Sequence, residues 1–180
     1  MPLPFEPFDT ERLHIRLVEP QDTDAFFRWY SDPETCRYWS EPPMTERSQA
    51  ESRVSRLTLS NGEQGSLALV MTLDGKSIGT LSAFGHSESN RRCELGYSLD
   101  REHWGKGYMR EALKALLQMG FDKWNLHRYE ADTDPRNVNS IKLLTSLGFK
   151  QEGLLRERWI VAEEVSDTAF FGLIRSDWQP

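Results

Sequence analysis

The run from Leu95 to Gly120, LGYSLDREHWGKGYMREALKALLQMG, constrains the fold more than any other part of the chain. Leu95, Tyr97 and Leu99 alternate with small or polar residues, the period of a half-buried strand. Asp100 to His103 breaks the alternation and reads as a turn. Gly105-Lys106-Gly107 follows. From Met109 onward, Ala112, Leu113, Leu116, Gly120 and Trp124 recur at steps of three or four, which predicts a helix over 107–124. A glycine turn feeding a helix N-terminus suits an anion, because first-turn N–H groups lack helical partners and glycine lets a phosphate approach the backbone. An ordinary strand-to-helix connection carries such glycines too. Neither nucleotide signature fits. Gly107 stands where a P-loop needs Ser or Thr, and Arg110 stands where the dinucleotide fingerprint needs its third glycine.

Around this stretch the chain reads as one α+β domain. Met1 to Asp9 is proline-rich and reads as an arm. Arg12 to Val18 alternates as a first strand. Pro20 to Asp24 opens a helix through Phe26, Phe27, Trp29 and Tyr30, which Ser31-Asp32-Pro33 stops. Cys36 to Pro43 is aromatic and irregular. A second helix is predicted over 46–60, closed by Asn61-Gly62. Strands at 66–73 and 76–85 flank the hairpin signal Asp74-Gly75, and a third covers 91–99. After the central helix come a strand at 128–132, a helix at 137–146 ending at Gly148, and closing strands at 149–157 and 167–174.

A chain of 180 residues fits a single domain with one sizeable core. The two cysteines, Cys36 and Cys93, give neither a disulfide framework nor metal-ligand spacing, so they read as small buried side chains and no metal is expected. No apolar run has membrane-spanning length, and MPLPFEPFDTERL lacks a signal-peptide core, so no membrane partner and a cytoplasmic location are expected. A net charge of −6 argues against nucleic acid as a partner and would suit a cationic one.

Trp104-Gly105-Lys106-Gly107-Tyr108-Met109 resembles the acyl-CoA loop of the GNAT superfamily of N-acetyltransferases, Gln/Arg-x-x-Gly-x-Gly/Ala. Gly107 holds the obligatory glycine. Trp104 replaces Gln/Arg and Met109 replaces the last small residue. Downstream, Asn137, Ser140 and Leu147-Gly148-Phe149 resemble the family's N-x-x-S…LGF segment. The spelling GY…WGKGY…EAL and the opening TERLHIR are similar to the Rim-type branch, which acetylates ribosomal-protein N-termini. The resemblance covers residues 10–174. It implies a GNAT fold over a core of about 10–175 within 1–180, a mixed, mostly antiparallel sheet of about seven strands flanked by about four helices.

The resemblance implies acetyl-CoA as co-substrate. The backbone of Tyr97, Ser98 and Leu99 would hold the pantetheine arm as an added strand does. Gly105, Lys106, Gly107, Tyr108 and Met109 would hold the pyrophosphate through backbone N–H groups, with Trp104 beside them in the cofactor site and Lys106 and Arg110 as nearby cations. Asn137 would bond the pantetheine amide, although Asn and Ser are also ordinary helix caps. Acetyl transfer needs a neutral amine, and an α-amine has a pKa of about 7.7–8.0, so a base is required. Glu94 resembles the strand carboxylate that serves several family members. A solvated carboxylate paired with Arg91 or Arg92 is the plainer reading. Ser140 is the candidate proton donor to the leaving thiolate, with Tyr97 and Tyr108 as alternatives. His86, His103 and His127 read as turn or strand-edge residues.

For the acceptor, the resemblance points to the first two helices and their connection: Trp29, Tyr30, Tyr38 and Trp39, with Arg158 and Trp159 opposite. Aromatics of this kind are also ordinary core. The expected activity is N-acetyl transfer to a protein or peptide α-amine. A small amine (polyamine, aminoglycoside or amino-acid-like) is the alternative acceptor, and a non-catalytic acyl-CoA-binding module is the alternative class. The expected partner is the amine acceptor, with a homodimer left open.

Overall fold

The computed structural model describes residues 3–61 and 65–179. Among them the strands are β1 (Phe8–Asp9), β2 (His14–Leu17), β3 (Leu67–Leu73), β4 (Lys76–Ser87), β5 (Arg92–Leu99), β6 (Arg128–Thr133), β7 (Lys150–Val161) and β8 (Glu164–Ile174). The helices are α1 (Thr23–Ser31), α2 (Pro33–Cys36), α3 (Arg47–Ser60), α4 (Tyr108–Asp122) and α5 (Val138–Ser146). All strands join one sheet in the order β1-β2-β3-β4-β5-β6-β8-β7. Neighbours are antiparallel except β5 and β6, which run parallel.

The sheet has eight strands rather than seven, and the described helices number five rather than four. The extra strand lies in the stretch read as a loose arm. Phe5 and Phe8 pack on the core, Leu3 is buried, and the Trp124 indole donates to the Pro4 carbonyl at 2.8 Å. The extra helix starts at the proline read as a stop. Asp32 caps it by accepting from the Glu34 N–H, and Pro33 fills the first position, where a missing N–H costs nothing. The β7–β8 hairpin is longer than expected, since Ala162 and Glu163 turn it in the left-handed region at φ 46° and 71° without a glycine to mark the turn. Asn61 ends α3 and pairs with Ala68 in both directions at 2.9 Å; Gly62, like Met1 and Pro2 of the arm and Pro180, lies outside the described residues.

Helices cover both faces of the sheet, as the alternation of β3 shows. Leu67, Leu69 and Met71 pack with Ala112, Leu113, Leu116 and Leu117 of α4. Val70 and Ala68 face Phe26 and Trp29 of α1 and Ala50 and Val54 of α3. The tightest contact in the α4 layer is at Gly120, where an added Cβ would fall on the Tyr129 hydroxyl. That hydroxyl donates to the Leu116 carbonyl at 3.0 Å and is fully buried. Gly120→Ala should therefore destabilise by about 1–3 kcal/mol, the cost of overpacking, despite alanine's better helix propensity. Thermal denaturation checks this; a melting temperature at or above wild type would show that α4 can move away from β6.

Candidate active site

The parallel pair β5–β6 opens the sheet. Their register runs Arg92↔Arg128, Cys93↔Tyr129, Glu94↔Glu130, and the pairing stops there although β5 continues to Leu99 and β6 to Thr133. Two cavities flank this split. One, of about 540 Å³, is lined by Tyr97, Ser98, Leu99, Trp104, Gly105, Met109, Asn137 and Ser140. The other, of about 340 Å³, is lined by Tyr30, Tyr38, Trp39, Asp132, Trp159 and Thr168, among others. Tyr38, Trp39, Tyr97, Asn137 and Ser140 belong to both, so the two spaces meet where a donor and an acceptor would react.

The first cavity ends on the glycine turn. Gly105 and Gly107 adopt φ of 73° and 82°, which L side chains resist, and Gly107 is the N-cap of α4. The first-turn N–H groups are thereby presented without a capping side chain. Lys106 is exposed beside the turn, Tyr108 begins the helix, and Arg110 reaches toward α5, with its Nε 3.4 Å from Ser146 Oγ. Trp104 donates its indole N–H to the Leu99 carbonyl at 2.7 Å. The Leu99 carbonyl is therefore taken, which the reading of β5 as an open strand edge did not anticipate.

At the junction, Asn137 caps α5. Its side-chain oxygen accepts from the Ser140 backbone N–H at 3.1 Å. The Ser140 hydroxyl plays no part in that cap and lies 2.7 Å from the Tyr97 hydroxyl. Burial pushes the Tyr97 phenol up to about 12, while its bond to Ser140 pulls it back. The pair is thus a protonated hydroxyl relay at neutral pH.

A family model, Acetyltransferase (GNAT) domain, matches residues 12–150. The chain belongs to the GNAT family. It is 37% identical to the uncharacterized N-acetyltransferase p20 of Bacillus licheniformis over 94% of this chain and 96% of that protein. It is 30% identical to the ribosomal protein uS5-alanine N-acetyltransferase of Escherichia coli over 95% of this chain and 92% of that protein, which places it in the Rim-type branch. The fold also superposes on a spermidine N-acetyltransferase from Vibrio cholerae in complex with CoA and spermine, with TM-score 0.80, 21% identity and coverage of 92% and 97%. This GNAT protein is an acyl-CoA-dependent N-acetyltransferase with acetyl-CoA as donor. The larger cavity suits that donor: it runs along Tyr97, Ser98 and Leu99 of β5 to Gly105 of the glycine turn, where the helix start has no capping side chain.

The acceptor side of this GNAT site differs from the sequence reading in three ways. Trp29 is not a wall of the cleft. It is fully buried, and its indole donates to Asp100 Oδ2 at 3.1 Å; its neighbour Tyr30 lines the cavity instead, bonded to Thr80 at 3.1 Å. One helical step separates a core-facing from a cleft-facing ring, and periodicity alone does not say which face meets the cleft. Tyr38, Trp39 and Trp159 line the same cavity.

Second, two carboxylates line the cavity, Asp132 and Asp134; Asp134 is held by Arg136 at 2.6 Å, and Asp132 is one the sequence reading passed over as a strand end. Glu94, Glu130 and Asp132 share one face of the sheet by strand alternation and the parallel register. Burial pushes Glu94 up, and the charges of Asp132 and Glu130 push it further. Burial also raises Asp132, against the pull of Arg158, whose Nε lies 3.9 Å from its Oδ2, and of Trp159. His86, His103 and His127 line neither cavity.

Third, Thr168 is 1% exposed, lines the acceptor cavity, and its hydroxyl has no partner among the described residues. It is left as a polar contact for whatever enters. Nothing in its strand context singled it out, because a threonine on β8 reads as an ordinary strand residue.

Proposed function

We propose that this N-acetyltransferase acts on the α-amine of a peptide or protein N-terminus. The observation that carries the reading is the shape and charge of the acceptor space. The inner cavity continues outward, through Tyr38, Trp39, Asp134 and Trp159, into a groove of about 190 Å³ between Pro42-Pro43 and the β7–β8 turn at Val161 and Ala162. Such a space takes an amine inside and a following chain outside. A polyamine would need unpaired negative charge along the same path. The outer carboxylates are already matched: Asp134 and Glu164 both bond Arg136, at 2.6 and 2.5 Å, and Glu41 bonds Arg53 at 2.8 Å.

In this reading Asp132, at the inner end, takes the proton that frees the amine. The Glu94 carboxylate lies behind it on the same sheet face. The donor supplies the thioester, whose C–S bond breaks as the C–N bond forms. The Tyr97–Ser140 hydroxyls face the departing sulfur. A phenol near 12 is too weak an acid to hand its proton outright to a thiolate with a pKa of about 8.5, so the pair stabilises the sulfur by hydrogen bonding. The second amine proton then reaches the thiolate.

Thiol release from acetyl-CoA against a panel of N-terminal peptides, spermidine, spermine and aminoglycosides tests the acceptor. We expect the highest kcat/KM with peptides. A higher value with a polyamine or aminoglycoside overturns the assignment.

Ser140→Ala should lower kcat about tenfold, close to the worth of one hydrogen bond to a charged group, about 1.5 kcal/mol at its low end. The α5 cap uses the backbone N–H of residue 140, which alanine keeps, so melting should shift little. Asn137→Ala should do the reverse and cost stability of about 1 kcal/mol. Comparing kcat with melting temperature for the two variants checks the division of labour.

A further inference from the structure

We propose that Arg12, two residues before β2, is a positioning residue that sets the glycine turn for the donor's pyrophosphate. The proposal rests on the reading of that turn as the pyrophosphate site. Arg12 lies far from the turn in sequence, yet its guanidinium touches three parts of it. Nη1 donates to the Lys106 carbonyl at 3.0 Å, Nε donates to Glu111 Oε2 at 2.7 Å, and the guanidinium carbon stands 4.5 Å over the Tyr108 ring. His103 packs edge-on to that ring, at 6.0 Å between centroids, and its buried Nδ1 has no partner among the described residues.

The first contact fixes a direction. In a planar trans peptide the C=O and the following N–H point opposite ways. With the Lys106 carbonyl held by Arg12, the Gly107 N–H points away from Arg12, as an anion-binding turn requires. Left-handed Gly107 would otherwise be free to rotate this peptide.

The second contact removes a charge conflict. Glu111 is the acidic residue of the first turn of α4, where a free carboxylate would repel a pyrophosphate at the same helix end. Thr10 Oγ1 donates to Glu111 Oε1 at 2.5 Å, the Arg12 N–H donates to the same oxygen at 2.8 Å, and the guanidinium covers the other. Burial raises Glu111, yet these partners together hold it below the usual carboxylate range, so it stays ionised and matched. The Thr10-Glu11-Arg12-Leu13 opening is therefore a latch between the N-terminal strand and the donor loop.

The test is calorimetric binding of CoA and of pantetheine, which lacks the pyrophosphate, to wild type, Arg12→Ala and Arg12→Lys. We expect wild type to prefer CoA, and Arg12→Ala to lose about tenfold in CoA affinity while its pantetheine affinity stays the same. Arg12→Lys keeps charge without the fork and should recover part of the loss. Equal weakening of both ligands in a folded Arg12→Ala or Arg12→Lys protein would mean a merely structural role and overturns the proposal, as does an unchanged preference for CoA. If Arg12→Ala does not fold, the same ratio in Arg12→Lys decides. A wild type that binds CoA and pantetheine equally well would instead reject the pyrophosphate site itself.

Discussion

Replacing Asp132 by asparagine is expected to lower kcat by about 10²–10⁴-fold, the usual contribution of a positioned acid or base, with CoA binding unchanged. The carboxylate must be ionised to accept a proton. Because burial raises its pKa, the wild-type rate should climb with pH through that raised value and then flatten. Asp132→Asn should lose this acid limb and keep only the rise that follows amine deprotonation, so high pH partly rescues it. Glu94→Gln is the decisive comparison. The charge of Asp132 raises Glu94, so Asp132 is the one already ionised when Glu94 titrates. If Asp132 takes the proton, Glu94→Gln keeps most of kcat and keeps the limb. The opposite result, a normal Asp132→Asn and a crippled Glu94→Gln, would move the base to Glu94. Stability supplies an independent check. A carboxyl whose folded pKa is raised costs the fold stability by an amount that grows as pH climbs from the unfolded pKa of about 4.3 and is complete above the raised folded value. Glu94→Gln should thus melt at or above wild type at neutral pH and match it in acid.

The residues that could be read from the sequence are those whose function lies in the backbone. Gly105 and Gly107 take left-handed angles, Asn137 caps a helix, and both jobs leave local signatures of residue type and spacing. The strand–turn–helix at 95–120 follows from periodicity for the same reason. What periodicity could not show depends on contacts between distant segments. Asp132 matters because β5 and β6 part after Glu94 and Glu130, and nothing local to Asp132 announces where that pairing ends. Trp29 and Tyr30 are adjacent in α1, yet one faces the core and the other the cleft. Arg12 reaches Glu111 and Lys106 only through the tertiary fold. Ser140 illustrates the boundary: its neighbourhood in sequence reads as a helix cap, while its hydroxyl answers to Tyr97 on another strand.

Replacing Gly107 by valine should weaken CoA binding by about 10²-fold or more while leaving pantetheine binding intact. Gly107 sits at φ 82° and ψ 0° as the N-cap of α4. A β-branched residue there costs about 1–3 kcal/mol of backbone strain, which the turn can relieve by rotating to negative φ. Rotation would swing the Gly107 N–H out of the anion position and forfeit hydrogen bonds to a charged ligand worth about 1.5–3 kcal/mol each. The fold should survive, because a Cβ at this site meets only Arg12 Nη2, at 3.4 Å, and no packed core. Gly75→Val separates strain from function. Gly75 has a similar φ of 76° with nothing within 4 Å of its absent Cβ, and it lies in the β3–β4 turn and does not line the donor cavity. Both variants should melt slightly below wild type, but only Gly107→Val should lose CoA in calorimetry. Equal CoA affinity in a folded Gly107→Val protein would show that the turn does not hold the pyrophosphate. An equal loss in Gly75→Val would show that strain anywhere in the sheet, rather than the direction of one peptide group, controls the donor site.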